Sequence, residues 1–161
     1  MTTYEHQDVY DFTDPSGFVG GSAQTFTVGT VGSNVNHNIT GASIFITEGF
    51  PYPTANVVAC IYNTNSSGNA DYSSPLVTSS AVLEATLSED GSWINFTFSS
   101  NPTLTTSNKY AIGITATSFT NIWVNGQTTG SYSGGVWETH TASDMAFKIY
   151  GTASSTVYNV A

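Results

Sequence analysis

The amino-acid sequence predicts an all-β protein, an antiparallel β-sandwich of two sheets and about eight strands with a jelly-roll-like arrangement. Two observations predict this class. Helical periodicity is nearly absent, and the best helical candidate, residues 80–87, is short and surrounded by Ser and Thr. In its place, short runs rich in β-branched and aromatic residues recur at intervals of about 8–15 residues, with turn residues between them.

The first half of the chain contains four predicted strand regions. Residues 22–28 alternate and place Phe26 and Val28 on one face, and residues 39–47 follow with Ala42, Ile44 and Ile46 directed inward. Residues 55–62 are apolar on both faces, which predicts a central strand. Residues 76–87 form one long strand or two short ones.

The second half supplies the remaining strands. Residues 92–98 should place Ile94, Phe96 and Phe98 on one face and Trp93, Asn95 and Thr97 on the other. Residues 109–116 direct Tyr110, Ile112 and Ile114 inward, and the last predicted strand, 145–150, does so with Met145, Phe147 and Ile149. A short strand at 122–125 ends at Asn125-Gly126, a strong hairpin-turn signal. Residues 89–91 predict a further tight turn.

The charge balance excludes several partners. The chain has 161 residues, eleven acids, two lysines and no arginine, for a formal net charge of -9, while Thr, Ser, Gly and Asn make up 74 residues. Nucleic acid and anionic membranes are not expected partners, because both are bound through clustered basic residues. No basic or apolar N-terminal stretch indicates a secretory signal, so we expect synthesis in the cytosol.

No catalytic motif emerges from the acids, histidines or cysteine. Glu48, Glu84, Glu138 and Asp144 are the candidate carboxylates of a polysaccharide hydrolase, but no spacing singles out a pair. The three histidines lie far apart without ligand spacing, so no cofactor or catalytic metal is expected, and a structural calcium ion is an open alternative. Cys60 lies in an apolar run, where a buried, inert thiol is the favoured interpretation.

Aromatic residues near Gly-rich and Pro-rich loops are the remaining candidates for a binding site. Trp123, Tyr132 and Trp137 flank the loop at 130–135, and Tyr52 lies in a Pro-rich turn. A sugar stacks its C–H face on an exposed ring, so these four residues are the predicted glycan-binding residues. The competing interpretation places Trp123 and Trp137 in the core or at an interface.

Several segments resemble a jelly-roll domain of the choice-of-anchor R type, which recurs in bacteriophage and metagenomic virion proteins. They cover about residues 20–151: 22–30 (SAQTFTVGT), 37–44 (HNITGASI), 55–62 (ANVVACIY), 108–114 (NKYAIGI), 132–138 (YSGGVWE) and 144–151 (DMAFKIYG). The resemblance implies a two-sheet sandwich that serves as a surface module on tails, fibres or capsids, with no catalytic residues to carry over. Residues 152–161 extend beyond the resemblance.

These observations predict a sandwich domain (20–151) between an acidic, aromatic N-terminal arm (1–19) and a C-terminal arm (152–161). The arms carry candidate inter-subunit contacts: Tyr4, Tyr10, Phe12, Val157, Tyr158 and Val160. Frayed termini are the alternative. The predicted function is a non-enzymatic virion structural protein, a capsid decoration or a tail- or fibre-associated module, that contacts other virion proteins as a homo-oligomer. The alternative is an adhesion module that binds host glycans.

Overall fold

The structure, a computed structural model, describes residues 2–14 (backbone only for 12–14), 23–49, 55–116 and 122–154. Within these residues it contains β-strands and one 3-10 helix, Glu84–Thr86, which confirms the predicted all-β class. The strands are β1 (Thr2–Gln7), β2 (Phe12–Asp14), β3 (Ala23–Thr27), β4 (His37–Glu48), β5 (Asn56–Asn63), β6 (Val77–Thr78), β7 (Val82–Leu83), β8 (Ser92–Thr97), β9 (Thr103–Leu104), β10 (Lys109–Ala116), β11 (Ile122–Gln127), β12 (Asp144–Met145) and β13 (Phe147–Ala153).

The first sheet is built around the long strand β4. One edge of β4 pairs with β8 and β9, and the other pairs with β13 and then with β11, all antiparallel. The N-terminal strands close this sheet, because β1 pairs with β13 and β2 pairs with β11. Residues 2–14 therefore belong to the sandwich, and the prediction of a separate arm over 1–19 is wrong for the part that the structure describes.

The second sheet has the order β3-β10-β5-β6, and β7 also pairs with β5. The central position predicted for residues 55–62 is confirmed, since β5 has hydrogen-bonded neighbours on both edges. The region at 76–87 contains two short strands followed by the 3-10 helix. These short pieces explain why the described strands outnumber the eight predicted.

The core lies between the two sheets and confirms the predicted inward faces. It combines Ile44 and Phe147 of the first sheet with Ile61 and Ile112 of the second. Burial of such side chains stabilises the folded state by about 25 cal/mol for each Å² of apolar surface removed from water. This burial is the main driving force for folding. Cys60 is buried on the opposite face of β5, in a small cluster with Tyr62, which confirms the predicted burial of the thiol.

The predicted hairpin turn at Asn125-Gly126 is wrong, because both residues lie inside β11. Asn125 is buried, and its side chain donates to the hydroxyl of Thr47 at 2.9 Å. Gly126 is needed for space: a Cβ atom there would lie 2.5 Å from the ring of Trp137 and 2.4 Å from the carbonyl oxygen of Asp144. The glycine is therefore required by close packing within a strand. The same dipeptide is common in hairpin turns, so its sequence alone does not distinguish the two cases.

Candidate functional site

Two of the four predicted glycan-binding residues are buried, so this prediction is wrong for them. Trp137 is 0% exposed and Tyr132 is 6% exposed, and both rings belong to the core between the sheets. Neither ring can present a face to a sugar. Trp137 forms a bridge to Gln24 and so extends the edge of β3. Tyr52 lies outside the described residues.

Tyr132 belongs to a buried polar cluster formed with Glu5, Gln24 and Asp144. Its hydroxyl donates to the Glu5 carboxylate at 3.0 Å. The same carboxylate accepts backbone N–H groups from residues 29–31, of which Thr30 contributes at 3.0 Å and Val31 at 3.2 Å. Glu5 is fully buried. A buried carboxylate with several charge-assisted bonds holds the loop after β3 against β1, which is a structural role.

Asp144 completes the cluster from the other side. It accepts the backbone N–H of Tyr132 at 2.8 Å, and the Gln24 amide lies 3.4 Å from its second oxygen. Burial raises the pKa of Asp144, and these two bonds partly offset that rise. Burial, the negative charge of Glu5 and the hydrogen bond to it raise the pKa of the Tyr132 hydroxyl far above its usual range, so it remains a donor.

The outward face of the first sheet carries a second aromatic group, which we call the outer aromatic face: Tyr10, Phe45, Trp93, Trp123 and Tyr150. The strand registers place these side chains together. Phe45 pairs with Trp93, and Thr47 pairs with Trp123, so each pair projects on the same side of the sheet. The inward neighbours Ile44 and Ile46 lie in the core, which assigns this face to the outside.

Tyr10, Phe45 and Trp93 form a packed cluster at the centre of this face. Tyr10 stacks on Phe45 with ring centroids 3.9 Å apart, and Trp93 contacts Phe45 edge-on at 5.6 Å. The ammonium group of Lys148 lies 4.2 Å from the centroid of the Trp93 ring. Aromatic pairs in these arrangements contribute about 0.5–1.5 kcal/mol each beyond burial. The cluster is therefore a fixed surface element.

A cleft of about 430 Å³ opens beside this cluster, and we call it the Tyr10 cleft. Its volume lies within the range of about 300–1,000 Å³ that is common for small-molecule sites. Tyr10 is 44% exposed, whereas Phe45 beneath it is buried. The cleft is lined by Tyr10, Asp11, Phe45, Thr47, Glu89, Asp90 and Asn125.

Asp11 is held in place at the rim of the cleft. Its Oδ1 atom accepts both the backbone N–H of Thr128, at 2.7 Å, and the Thr128 hydroxyl, at 2.6 Å. The Thr128 hydroxyl and amide bonds lower the pKa of Asp11, so it is a carboxylate at neutral pH. Glu89 and Asp90 come from the tight turn before β8, where Gly91 adopts φ +78°. That predicted turn is confirmed.

A second, more enclosed depression of about 360 Å³ lies elsewhere on the same face, next to Asn95 and Tyr150. The Ser43 hydroxyl joins these two side chains: it contacts Asn95 Oδ1 and lies 3.0 Å from the Tyr150 hydroxyl. Aromatic side chains therefore lie next to hydroxyl and amide side chains along the outer aromatic face, beside β4. Trp123 is half-buried on β11 and is the one predicted glycan-binding residue on this face among those that the structure describes.

The predicted inter-subunit residues divide into three groups. Tyr4 is buried within its own chain and stacks on His37 with centroids 3.8 Å apart, so its assignment to a free arm is wrong. Tyr10 is exposed and lines the cleft. The side chain of Phe12 lies outside the described part of the chain, as do Val157, Tyr158 and Val160.

Each of the four candidate hydrolase carboxylates is either buried or engaged in hydrogen bonds with described residues. Glu138 accepts the backbone N–H of Ala70 and the Tyr72 hydroxyl, and Asp144 belongs to the buried polar cluster. Glu48 and Glu84 interact, but both are buried; burial, with the charges of Glu84 and Glu89, raises the pKa of Glu48. Within the described ranges, no three His, Cys, Asp or Glu side chains come together as a metal site.

The sequence contained a signal for the outer aromatic face. The alternation over residues 92–98 already placed Trp93, Asn95 and Thr97 opposite the core residues, and this orientation is confirmed. The contribution of Tyr10 has no comparable local signal, because it depends on how the N-terminal segment crosses the sheet.

Comparisons with known proteins add no relative. The chain matches no known protein family, no curated protein and no solved structure. No helix in the described part of the chain has the length and hydropathy that crossing a membrane requires.

Proposed function

We propose that this chain is a non-enzymatic structural module of a virion surface, a bacteriophage capsid decoration or a tail- or fibre-associated protein. The observation that carries the proposal is the use of its acidic residues. Glu5, Asp11, Glu138 and Asp144 accept hydrogen bonds from groups distant in sequence and so join loops to other parts of the fold, while Asp71 accepts from Ser73 within its own loop. The resemblance over residues 20–151 supplies the virion context.

This use of carboxylates suits a passive surface protein. A glycosidase needs one acid free to donate a proton and a second free to attack or to activate water. Glu5, Glu138 and Asp144 are engaged as acceptors within the fold, which favours a scaffold over a catalyst at these positions. The surface otherwise consists mainly of hydroxyl and amide groups, whose interactions depend little on salt.

Purified phage particles test the proposal directly. Particles from a lysate of the producing host are purified on a density gradient, and their proteins are identified by mass spectrometry. We expect this chain in the particle fraction at a stoichiometry fixed by the particle symmetry. Its absence from the particles, with the protein present in the soluble lysate, would overturn the proposal.

A second candidate function, host-glycan recognition, is favoured by the outer aromatic face. Three of its rings, those of Tyr10, Phe45 and Trp93, pack on one another, and the face also carries Ser, Thr and Asn groups that can bond sugar hydroxyls. A glycan array probed with the purified protein tests this function. Binding should disappear in Tyr10→Ala and persist in Tyr72→Ala, which removes an equally exposed tyrosine (42%) elsewhere. An array without hits would exclude it.

A further inference from the structure

We infer that the Tyr10 cleft binds an uncharged pyranose, with the exposed face of Tyr10 as the stacking platform and the carboxylates of the rim as acceptors for sugar hydroxyls. The inference rests on the proposed glycan recognition and specifies its location and ligand class. It moves the site from the loop at 130–135 to the point where the N-terminal segment meets β4 and β11.

The platform follows from the packing of the three rings. Phe45 covers one face of Tyr10, and Trp93 approaches from the side at 6.5 Å, so the exposed part of Tyr10 includes the face directed away from Phe45. A ring already held by two neighbours loses little conformational entropy when a ligand stacks on it. One flat, fixed aromatic face is the element that the C–H face of a pyranose needs.

The acceptors follow from the rim. Asp11, Glu89 and Asp90 all line the cleft, and an ionised carboxylate accepts hydrogen bonds without donating any. Both described bonds to Asp11 go to Oδ1, which leaves Oδ2 to accept further donors. Sugar hydroxyls can donate hydrogen bonds, and two neighbouring hydroxyls on a pyranose ring can donate to the two oxygens of one carboxylate.

The same charges select against acidic sugars. Three carboxylates surround the cleft, and the chain has two lysines to oppose them. Lys148 is directed at the Trp93 ring, and Lys109 lies in a different depression next to Asn63 and Thr64. A uronic or sialic acid would bring a further negative charge against this rim at a Coulombic cost.

A cationic ligand such as a quaternary ammonium group is the main competitor, because aromatic rings and acids also recognise cations. Such ligands are held in cages in which several ring faces converge. Here Phe45 is covered by Tyr10, and Trp93 is occupied by Lys148, whose positive charge disfavours a second cation. Of the two rings that line the cleft, Tyr10 has an exposed face and Phe45 is covered, so these rings form no cage, which favours a sugar.

Saturation-transfer NMR with the purified full chain tests the inference. The probes are the methyl glycosides of glucose, galactose, mannose and N-acetylglucosamine, with methyl glucuronide and choline as charged competitors. We expect saturation transfer to at least one neutral glycoside and at least a fivefold smaller signal for glucuronide and choline. Transfer should be lost in Tyr10→Ala and retained in Tyr72→Ala, with both variants shown by circular dichroism to be folded.

A variant with fewer rim charges distinguishes the contribution of the acidic rim from that of the Tyr10 ring. In the double variant Glu89→Gln, Asp90→Asn, we expect methyl glucuronide to gain binding relative to the wild-type chain. No transfer to any neutral glycoside, equal transfer to glucuronide or choline, or unchanged transfer in Tyr10→Ala would overturn the inference. Array hits on acidic glycans alone would support glycan recognition but overturn the assignment of an uncharged pyranose as the ligand. Mass spectrometry of the particles tests the virion proposal independently of these two inferences.

Discussion

The buried polar cluster and the Tyr10 cleft are made of the same residue types and are used differently. Each combines a tyrosine, acidic side chains and an amide: Tyr132 with Glu5, Asp144 and Gln24, and Tyr10 with an acidic rim and Asn125. In the buried polar cluster these groups bond one another. In the Tyr10 cleft the ring and the rim face solvent.

The difference shows that enclosure, more than composition, separates groups that bond one another in the interior from groups that remain open to solvent in this chain. The loop at 128–143 folds over Tyr132 and Trp137 and joins the edge of β3 through the bridge between Gln24 and Trp137. No loop among the described residues covers Tyr10, so its ring remains 44% exposed. Four predictions test this contrast, in order of expected effect.

The largest effect should come from the two tryptophans. Trp137→Ala removes a fully buried ring and should lower the free energy of unfolding by about 3–5 kcal/mol. Trp93→Ala removes a half-buried ring on the outer aromatic face and should cost about 1 kcal/mol. Urea denaturation of both variants measures the difference, and equal losses would remove the distinction between the two regions.

Glu5→Gln should have the next largest effect. The glutamine amide keeps one acceptor oxygen and replaces the other with an NH2 donor. In one orientation this donor faces the N–H groups of residues 29 and 30, and in the other it faces the N–H group of Val31. Loss of a buried, charge-assisted set of bonds should cost about 2 kcal/mol. The matched change Glu89→Gln, at the rim of the Tyr10 cleft, should not lower the denaturation midpoint, because it removes a negative charge that acts on Glu48. A shift as large as that of Glu5→Gln would contradict the contrast.

Tyr132→Phe should destabilise the protein by about 1 kcal/mol, because it removes the hydroxyl that donates to Glu5 while keeping the ring in the core. Tyr10→Phe should have no measurable effect, since the Tyr10 hydroxyl makes no hydrogen bond within the described residues. Thermal unfolding of the two variants side by side compares them. Equal melting temperatures would show that the buried hydroxyl contributes nothing.

The smallest effect should appear as a pH dependence centred on His37, which stacks on Tyr4 next to Glu5. Burial lowers the pKa of His37 from 6.5, so the unfolded chain binds the proton more tightly than the folded chain. The stability is then complete above pH 6.5 and decreases as the pH falls below it. His37→Phe keeps a ring in the stack, and its unfolding midpoint should fall less between pH 7.5 and pH 5.5. An unchanged slope would assign the dependence to another group.

Much of the fold could be predicted from alternation alone. The inward sets Ala42-Ile44-Ile46 and Tyr110-Ile112-Ile114 follow from the two-residue period of a strand, and the structure places them in the core. The wrong turn prediction arose because one local sequence pattern occurs in two different structures. Asn125-Gly126 is a turn signal, but here the glycine makes room for Trp137, a contact between distant parts of the chain.

Among the described residues, the predicted glycan-binding residues and the outer aromatic face share Trp123 alone. Aromatic rings beside polar groups were expected to form a surface site, and the outer aromatic face has this composition. Tyr132 and Trp137 were placed there on the basis of a Gly-rich loop, which says nothing about whether the loop closes over its own rings. Trp93 was correctly oriented, because its neighbours in the strand define the inner face.

By itself, therefore, the sequence determined the all-β class and the inward faces of the main strands. These depend on local period and on composition, which any window of the chain contains. The tertiary structure alone decided that residues 2–14 close the first sheet, that Tyr4 and Tyr132 are buried, and that Tyr10 stands open beside its acidic rim. The reason is physical: exposure depends on which distant segment covers a side chain.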